Sequence, residues 1–192
     1  MKITRCNKCP SLVSSRSRIV SGYGDENATI MFVGLAPGRN GADITGVPFT
    51  RDPSGILFQE AMIKAGFSLE NDPTFEKPKL KHVFITNIVK CNPKDEKGNN
   101  RHPSKDEINN CVKYFEIEKQ LIKPNIIVLL GKTTTEHILN IKIGQFIQLH
   151  NNPIYKDSII YVPFLHPSYI IRGMYQREKY LQEILNISGL VK

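Results

Sequence analysis

No stretch of this chain approaches the roughly 20 consecutive apolar residues that cross a bilayer, although 40% of its 192 residues are hydrophobic. The N-terminus lacks the apolar core of a secretory signal, so a cytoplasmic protein with no membrane partner is expected. Internal repeats and low-complexity tracts are missing, which excludes a repeat array. Acidic residues are in short supply. There are 18 Asp and Glu against 26 Lys and Arg, a formal net charge of +8, and that balance fits a polyanionic partner. Cysteine is sparse as well, with Cys6, Cys9, Cys91 and Cys111 and no fifth. Cytosolic chains do not usually keep disulfides, so this even set points to metal or redox chemistry. The two-residue spacing lets Cys6 and Cys9 face one metal or cluster. Four thiolates close a ligand set that suits zinc or an iron–sulfur cluster. Such a site ties the N-terminus to the middle of the chain.

What is present is a regular alternation. Apolar runs rich in Val, Ile and Phe occupy 29–34, 82–89, 124–131 and 159–165, the pattern of strands buried on both faces of a parallel sheet. Helical patterns lie between them. Ser54 caps a helix that Gly66 stops. Ser104 caps a second, with Glu107 in the capping-box position, running to about Lys123. Thr133 to Leu139 and Gln176 to Ile187 supply two more. The fold class is α/β: a three-layer α/β/α sandwich with a central, mainly parallel four-stranded sheet in a single domain, 1–192. Segments 68–81 and 92–103 read as loops, and a hairpin fills 142–161 with its turn at Asn151-Asn152-Pro153.

Each expected strand ends in small or polar residues: Gly34 to Gly38, Thr86-Asn87, Gly131-Lys132 and His166-Pro167-Ser168. In a parallel sheet these tips converge on one crevice, where open α/β folds bind ligands. The loop after the first strand carries an aromatic, Phe49, and a carboxylate, Asp52. Asn87 interrupts an apolar run, so its amide must find partners. Pro167 holds the backbone of His166 extended and aims the imidazole out of the strand end.

Three blocks, in order, resemble the iron–sulfur uracil-DNA glycosylases, families 4 and 5 of their superfamily. They are Gly34-Leu-Ala-Pro-Gly38 running through Thr45-Gly46 and Phe49, Ile85-Thr-Asn-Ile-Val-Lys-Cys91, and His166-Pro-Ser168. The four cysteines sit where those families bind a [4Fe-4S] cluster, and the likeness spans Cys6 to about Arg172. Family 4 carries an acid directly after the first glycine, where this chain has Leu35. Family 5 reads Gly-Leu-Ala-Pro and places an aspartate in a Phe-x-x-Asp-x-Ser-Gly segment, matched by Phe49-Thr-Arg-Asp52-Pro-Ser54-Gly55. Asn87 and Gly38 look more like family 4. The balance leans to family 5.

The resemblance implies a DNA repair enzyme that flips uracil or another deaminated base out of DNA and hydrolyses its N-glycosidic bond. Phe49 stacks on the base, Asn87 reads N3–H and O4, and His166 bonds the O2 that turns negative. Gly34, Ala36 and Gly38 complete the base-binding set. Asp52 is the catalytic carboxylate and Asn100 a second candidate near the water. Ser168, Tyr169, Ile170 and Arg172 face the DNA, with Ile171 beside them as part of a wedge. Arg51 and Lys132 are further phosphate contacts. Cys6, Cys9, Cys91 and Cys111 hold the [4Fe-4S] cluster in a mainly structural role, with zinc as the alternative metal, and the protein is expected to act as a monomer. Two competing readings remain: a non-catalytic iron–sulfur or zinc nucleic-acid-binding module, and a uracil-DNA binder without turnover.

Overall fold

The computed structural model describes residues 2–190. Strands β1 (Tyr23–Gly24), β2 (Ile30–Gly34), β3 (Val83–Asn87), β4 (Ile126–Leu130), β5 (Ile154–Lys156) and β6 (Ile159–Phe164) form one sheet in the order β1-β3-β2-β4-β6-β5. The inner four are parallel, and both outer strands run antiparallel to their neighbours. Helices α1 (Pro10–Ser15), α2 (Ala42–Thr45), α3 (Pro53–Lys64), α4 (Lys105–Ile122), α5 (Lys132–Leu139), α6 (Pro167–Ile171) and α7 (Arg177–Ile187) complete the chain, with short 3-10 turns at Phe146–Gln148 and Ser188–Leu190.

The period of two along a strand sends alternate side chains to opposite faces, and here it builds two cores. Ile30, Phe32, Ile85 and Val128 pack under residues of α3, α6 and α7, such as Phe58, Ile170 and Ile184. Met31, Val33, Ile127 and Leu129 pack on the other face, under Leu12, Ile108, Phe115 and Leu139 of α1, α4 and α5. The expected three layers are therefore present.

The sheet has six strands where four were expected. The two additional strands are edge strands of two and three residues, too short for an apolar run, and Tyr155 and Lys156 of β5 are exposed. The hairpin is confined to β5 and β6. Its turn is Asp157-Ser158, both residues in the left-handed region at φ 50° and 62°, the backbone that two-residue hairpins favour. It does not lie at 151–153. Asp52, not Ser54, caps α3, because Pro53 takes the first helical position and the Asp52 carboxylate accepts the Gly55 N–H. The capping box of Ser104 and Glu107 is present, and α4 ends at Ile122 with Lys123 left-handed.

Beneath the sheet's site edge, Thr86 turns away from the crevice, as its position one residue before Asn87 requires. It donates to Glu118 Oε2 at 2.7 Å, and Lys90 Nζ lies 2.6 Å from the same oxygen. Both charged side chains are buried. A buried pair of this kind is costly to break rather than a source of net stability, and it fixes α4 against β3.

Candidate active site

β2 and β3 are in register so that Gly34 lies beside Asn87 at their C-terminal ends. That pairing decides the geometry of the crevice. A Cβ on Gly34 would collide with Asn87 Oδ1 and stand 2.6 Å from Phe49 Cζ. The absence of a side chain at 34 therefore lets an amide and an aromatic ring close on the same point. Phe49 is itself left-handed at φ 53°, and Arg51 at φ 72°, conformations that a non-glycine residue adopts only when its surroundings impose them. The imposing contacts are visible. Gln59 Nε2 donates to Phe49 O at 2.8 Å, Thr50 Oγ1 to Val47 O at 2.9 Å, and the Phe49 ring packs on Phe58 at 4.7 Å between centroids.

A cavity of about 370 Å³ opens at this edge. Ala36, Gly38, Phe49, Asp52, Asn87, Asn100, His166, Ser168 and Arg172 all line it, so the tips of β2, β3 and β6 and the 92–103 loop meet there. Asn87 is a buried residue at the tip of β3, and it lines this cavity. Its amide is therefore placed to meet whatever enters there.

Asp52 divides its two oxygens. Oδ1 accepts the Gly55 N–H at 2.8 Å as the cap of α3. Oδ2 faces Gly38, where a Cβ would stand 2.8 Å away. Burial raises the Asp52 pKa, and the Gly55 and Ser54 N–H groups pull it back. A carboxylate raised in this sense is a better proton acceptor than an exposed one.

His166 caps α6. Its Nδ1 accepts the Ser168 N–H at 3.2 Å and lies 2.9 Å from Ser168 Oγ. A nitrogen that accepts a backbone N–H carries no proton, so the ring proton sits on Nε2. Burial first, and the Arg172 charge second, depress the His166 pKa to about 4. The ring is thus a neutral donor, and it lies 5.8 Å from the Phe49 ring.

Asn100 is held by its oxygen. Arg39 N–H donates to Oδ1 at 3.0 Å and Asn92 Nδ2 donates to the same atom at 2.8 Å, which leaves the Asn100 NH2 toward Gly38. Asn92 was not foreseen from the sequence. It is fully buried, lines the cavity, and also donates to Pro37 O at 2.6 Å, while its own Oδ1 lacks a partner. Its only sequence signal was a polar residue next to Cys91. Arg101 lines the cavity too, pinned to both oxygens of Glu107 at 2.7 and 2.6 Å.

Other expected residues fall elsewhere. Gly34 shapes the cavity wall without lining it. Tyr169 and Lys132 line an adjoining cavity of about 650 Å³ that shares His166, Ser168 and Arg172. Arg51 faces outward and pairs with Glu76 at 3.7 Å. Ile170 is buried in the core with α3 and α7, so it does not face DNA. α6 turns Ile170 inward against α3 and α7, and Ile171 is the exposed neighbour, at 49%.

The four cysteines gather on the α1 and α4 side. Cys91 and Cys111 are buried, and Cys9 packs against the same cluster. Three sulfurs receive N–H donors: Cys91 from Arg16 at 3.2 Å, Cys111 from the Lys90 backbone at 3.2 Å, and Cys9 from Asn110 at 3.6 Å. Such donors suit thiolate ligands and are the ordinary outer partners of a metal-bound sulfur. Among the described residues, no group of three or more His, Cys, Asp or Glu side chains closes on a point as a single metal ion requires. No helix there is long and apolar enough to cross a membrane.

Residues 21–187 match the model of the uracil DNA glycosylase superfamily. The chain is 30% identical to a type-4 uracil-DNA glycosylase of Archaeoglobus fulgidus, over 98% of this chain and 89% of the relative. It is 41% identical to a type-4 enzyme of Sulfurisphaera tokodaii over 75% of this chain and 57% of that relative. A type-5 uracil-DNA glycosylase of Thermus thermophilus shares 31% identity over 71% of this chain and 68% of the relative. The expected lean to family 5 is not supported, since the type-4 match reaches the higher identity.

Proposed function

The chain belongs to the uracil-DNA glycosylase superfamily, and from that premise we propose that it excises uracil from DNA by hydrolysing the N-glycosidic bond. The observation that carries this reading is the meeting of Phe49, Asp52, Asn87 and His166, from separate parts of the chain, on one cavity of about 370 Å³. Type 4 is the nearer relationship on identity. Leu35 stands where that type has its acid, and Asp52 takes the role.

The base enters extruded from the stack, because its bond is inaccessible inside a duplex. Phe49 supplies the stacking face. The Asn87 amide accepts from uracil N3–H and donates to O4. Cytosine presents the reverse pattern there and would leave buried polar groups unpaired, the condition for strong rejection. As the bond breaks, negative charge grows on O2, and His166 Nε2–H lies in wait as a neutral, preorganised donor. Asp52 Oδ2 takes a hydrogen bond from the attacking water and offsets the positive charge that develops on the sugar. The Asn100 NH2 donates to the same water. Arg172 and Ser168 hold the flanking phosphates, and the wedge falls to Ile171 and to Met174, which is 59% exposed.

Cys6, Cys9, Cys91 and Cys111 would hold a [4Fe-4S] cluster. Four thiols complete the ligand set such a cluster needs, and three of them already have N–H donors beside them. Its contribution is to brace α1, α4 and the 92–103 loop.

The test is excision from a uracil-containing oligonucleotide, read by alkaline strand cleavage, with single- and double-stranded substrates and a panel of deaminated bases. Cleavage confined to the uracil position is expected. Tight binding without cleavage would refute turnover.

A further inference from the structure

The segment 166–174 leaves β6, forms α6 and turns back at Gly173, whose φ is 72°. Its tip, Ile171 to Met174, is exposed. Both flanks of this segment end on one side chain. On the upstream side, Leu165 N–H donates to His150 Nδ1 at 3.2 Å. That bond places the imidazole proton on Nε2, which lies 2.9 Å from Glu183 Oε2. On the downstream side, the Tyr175 hydroxyl donates to Glu183 Oε1 at 2.8 Å. The His150 ring stands edge-on to Phe164 and Tyr175, with centroids 4.6 and 5.1 Å away. His150 and Glu183 side chains are 4% and 13% exposed. Among the described residues, Lys179 is the one further charged group at this carboxylate, 4.0 Å from Oε1. None of His150, Tyr175 or Glu183 lines the base cavity.

We propose that Glu183 is a positioning residue for duplex DNA: through His150 and Tyr175 it clamps both ends of 166–174, so that Ile171 and Met174 meet the helix as a rigid wedge. The proposal rests on the glycosylase reading. Forcing a nucleotide out of a duplex costs a few kcal/mol of pairing and stacking. A compliant tip would yield before the base pair does. A single strand has no pair to displace, so the clamp matters for duplex substrate alone.

The experiment compares single-turnover excision on matched single- and double-stranded uracil oligonucleotides for the full-length wild type, Tyr175→Phe and Glu183→Gln. Tyr175→Phe removes only the hydroxyl and keeps the ring against His150. Loss of a hydrogen bond to a charged group predicts a fall of about tenfold in the duplex rate, with the single-strand rate within about twofold of wild type. Amide exchange of 169–174 rises in the same variant. Equal losses on both substrates, or no loss on either, overturn the clamp, as does unchanged exchange in Tyr175→Phe. A wild type inactive on both substrates instead overturns the glycosylase reading itself.

Discussion

Gly34→Ala adds one methyl group at the most crowded point of the cavity wall. The new Cβ would lie 2.6 Å from Phe49 Cζ and closer still to Asn87 Oδ1. An ordinary contact begins near 3.4 Å, so the Phe49 ring must retreat by about 3.4 − 2.6 = 0.8 Å, roughly half a carbon radius. It has little room, because Phe58 backs it at 4.7 Å and its backbone is tied by Gln59. Asn87 is equally fixed by the strand register with Gly34. Overpacking of this kind costs about 1–3 kcal/mol. Here the strain falls on the stacking face and the base-reading amide together. Expressed at the transition state, it lowers kcat/KM on uracil DNA by about 10- to 100-fold. Thermal unfolding followed by circular dichroism, alongside single-turnover excision, separates the two costs. Activity within twofold of wild type in a folded Gly34→Ala protein would refute the argument that this glycine exists to seat Phe49 and Asn87.

Asp52→Asn keeps a good helix cap but removes the charge, so excision falls by about 100-fold or more while the unfolding temperature shifts little. Comparable losses of both would mean that Asp52 is a cap alone. His166 is neutral in the fold with a pKa of about 4 against an ordinary 6.5, so the unfolded chain binds its proton first as pH falls. The resulting stability is complete above about pH 6.5 and is lost toward pH 4. Between pH 7.5 and 5 it amounts to about 2 kcal/mol, and urea unfolding of His166→Gln over that range should show a correspondingly shallower loss. Asn92→Ala removes one of the two donors holding Asn100 Oδ1, and excision should fall about tenfold. In an Asn100→Ala background the same change should cost less than in the wild type, leaving only the lost bond to Pro37 O, and fully additive losses would show that Asn92 does not act through Asn100.

The inner strands were legible because each is an unbroken apolar run that only burial on two faces explains, and the Ser104–Glu107 capping box marked the start of α4. Strand ends also revealed Asn87 and His166, since a polar side chain at the tip of such a run has one place to go. The edge strands were not legible: two residues at Tyr23 and three at Ile154 carry no period. Nor was the orientation of Ile170 against Ile171, which depends on where a five-residue helix happens to sit. Asn92 and the His150–Glu183–Tyr175 contacts were hidden for a different reason. They join residues 8 to 55 positions apart, and hydrogen bonds at that range leave no local pattern.

The loop bearing Asn92 and Asn100 is laced to the N-terminal arm. Lys94 reaches Ser15 O and Asp43, and Arg101 reaches Ser11 and Glu107. Ser11 and Ser15 follow closely on Cys9 in the same arm. Anything that loosens those thiols would slacken the water-holding amide from a distance, without entering the cavity at all.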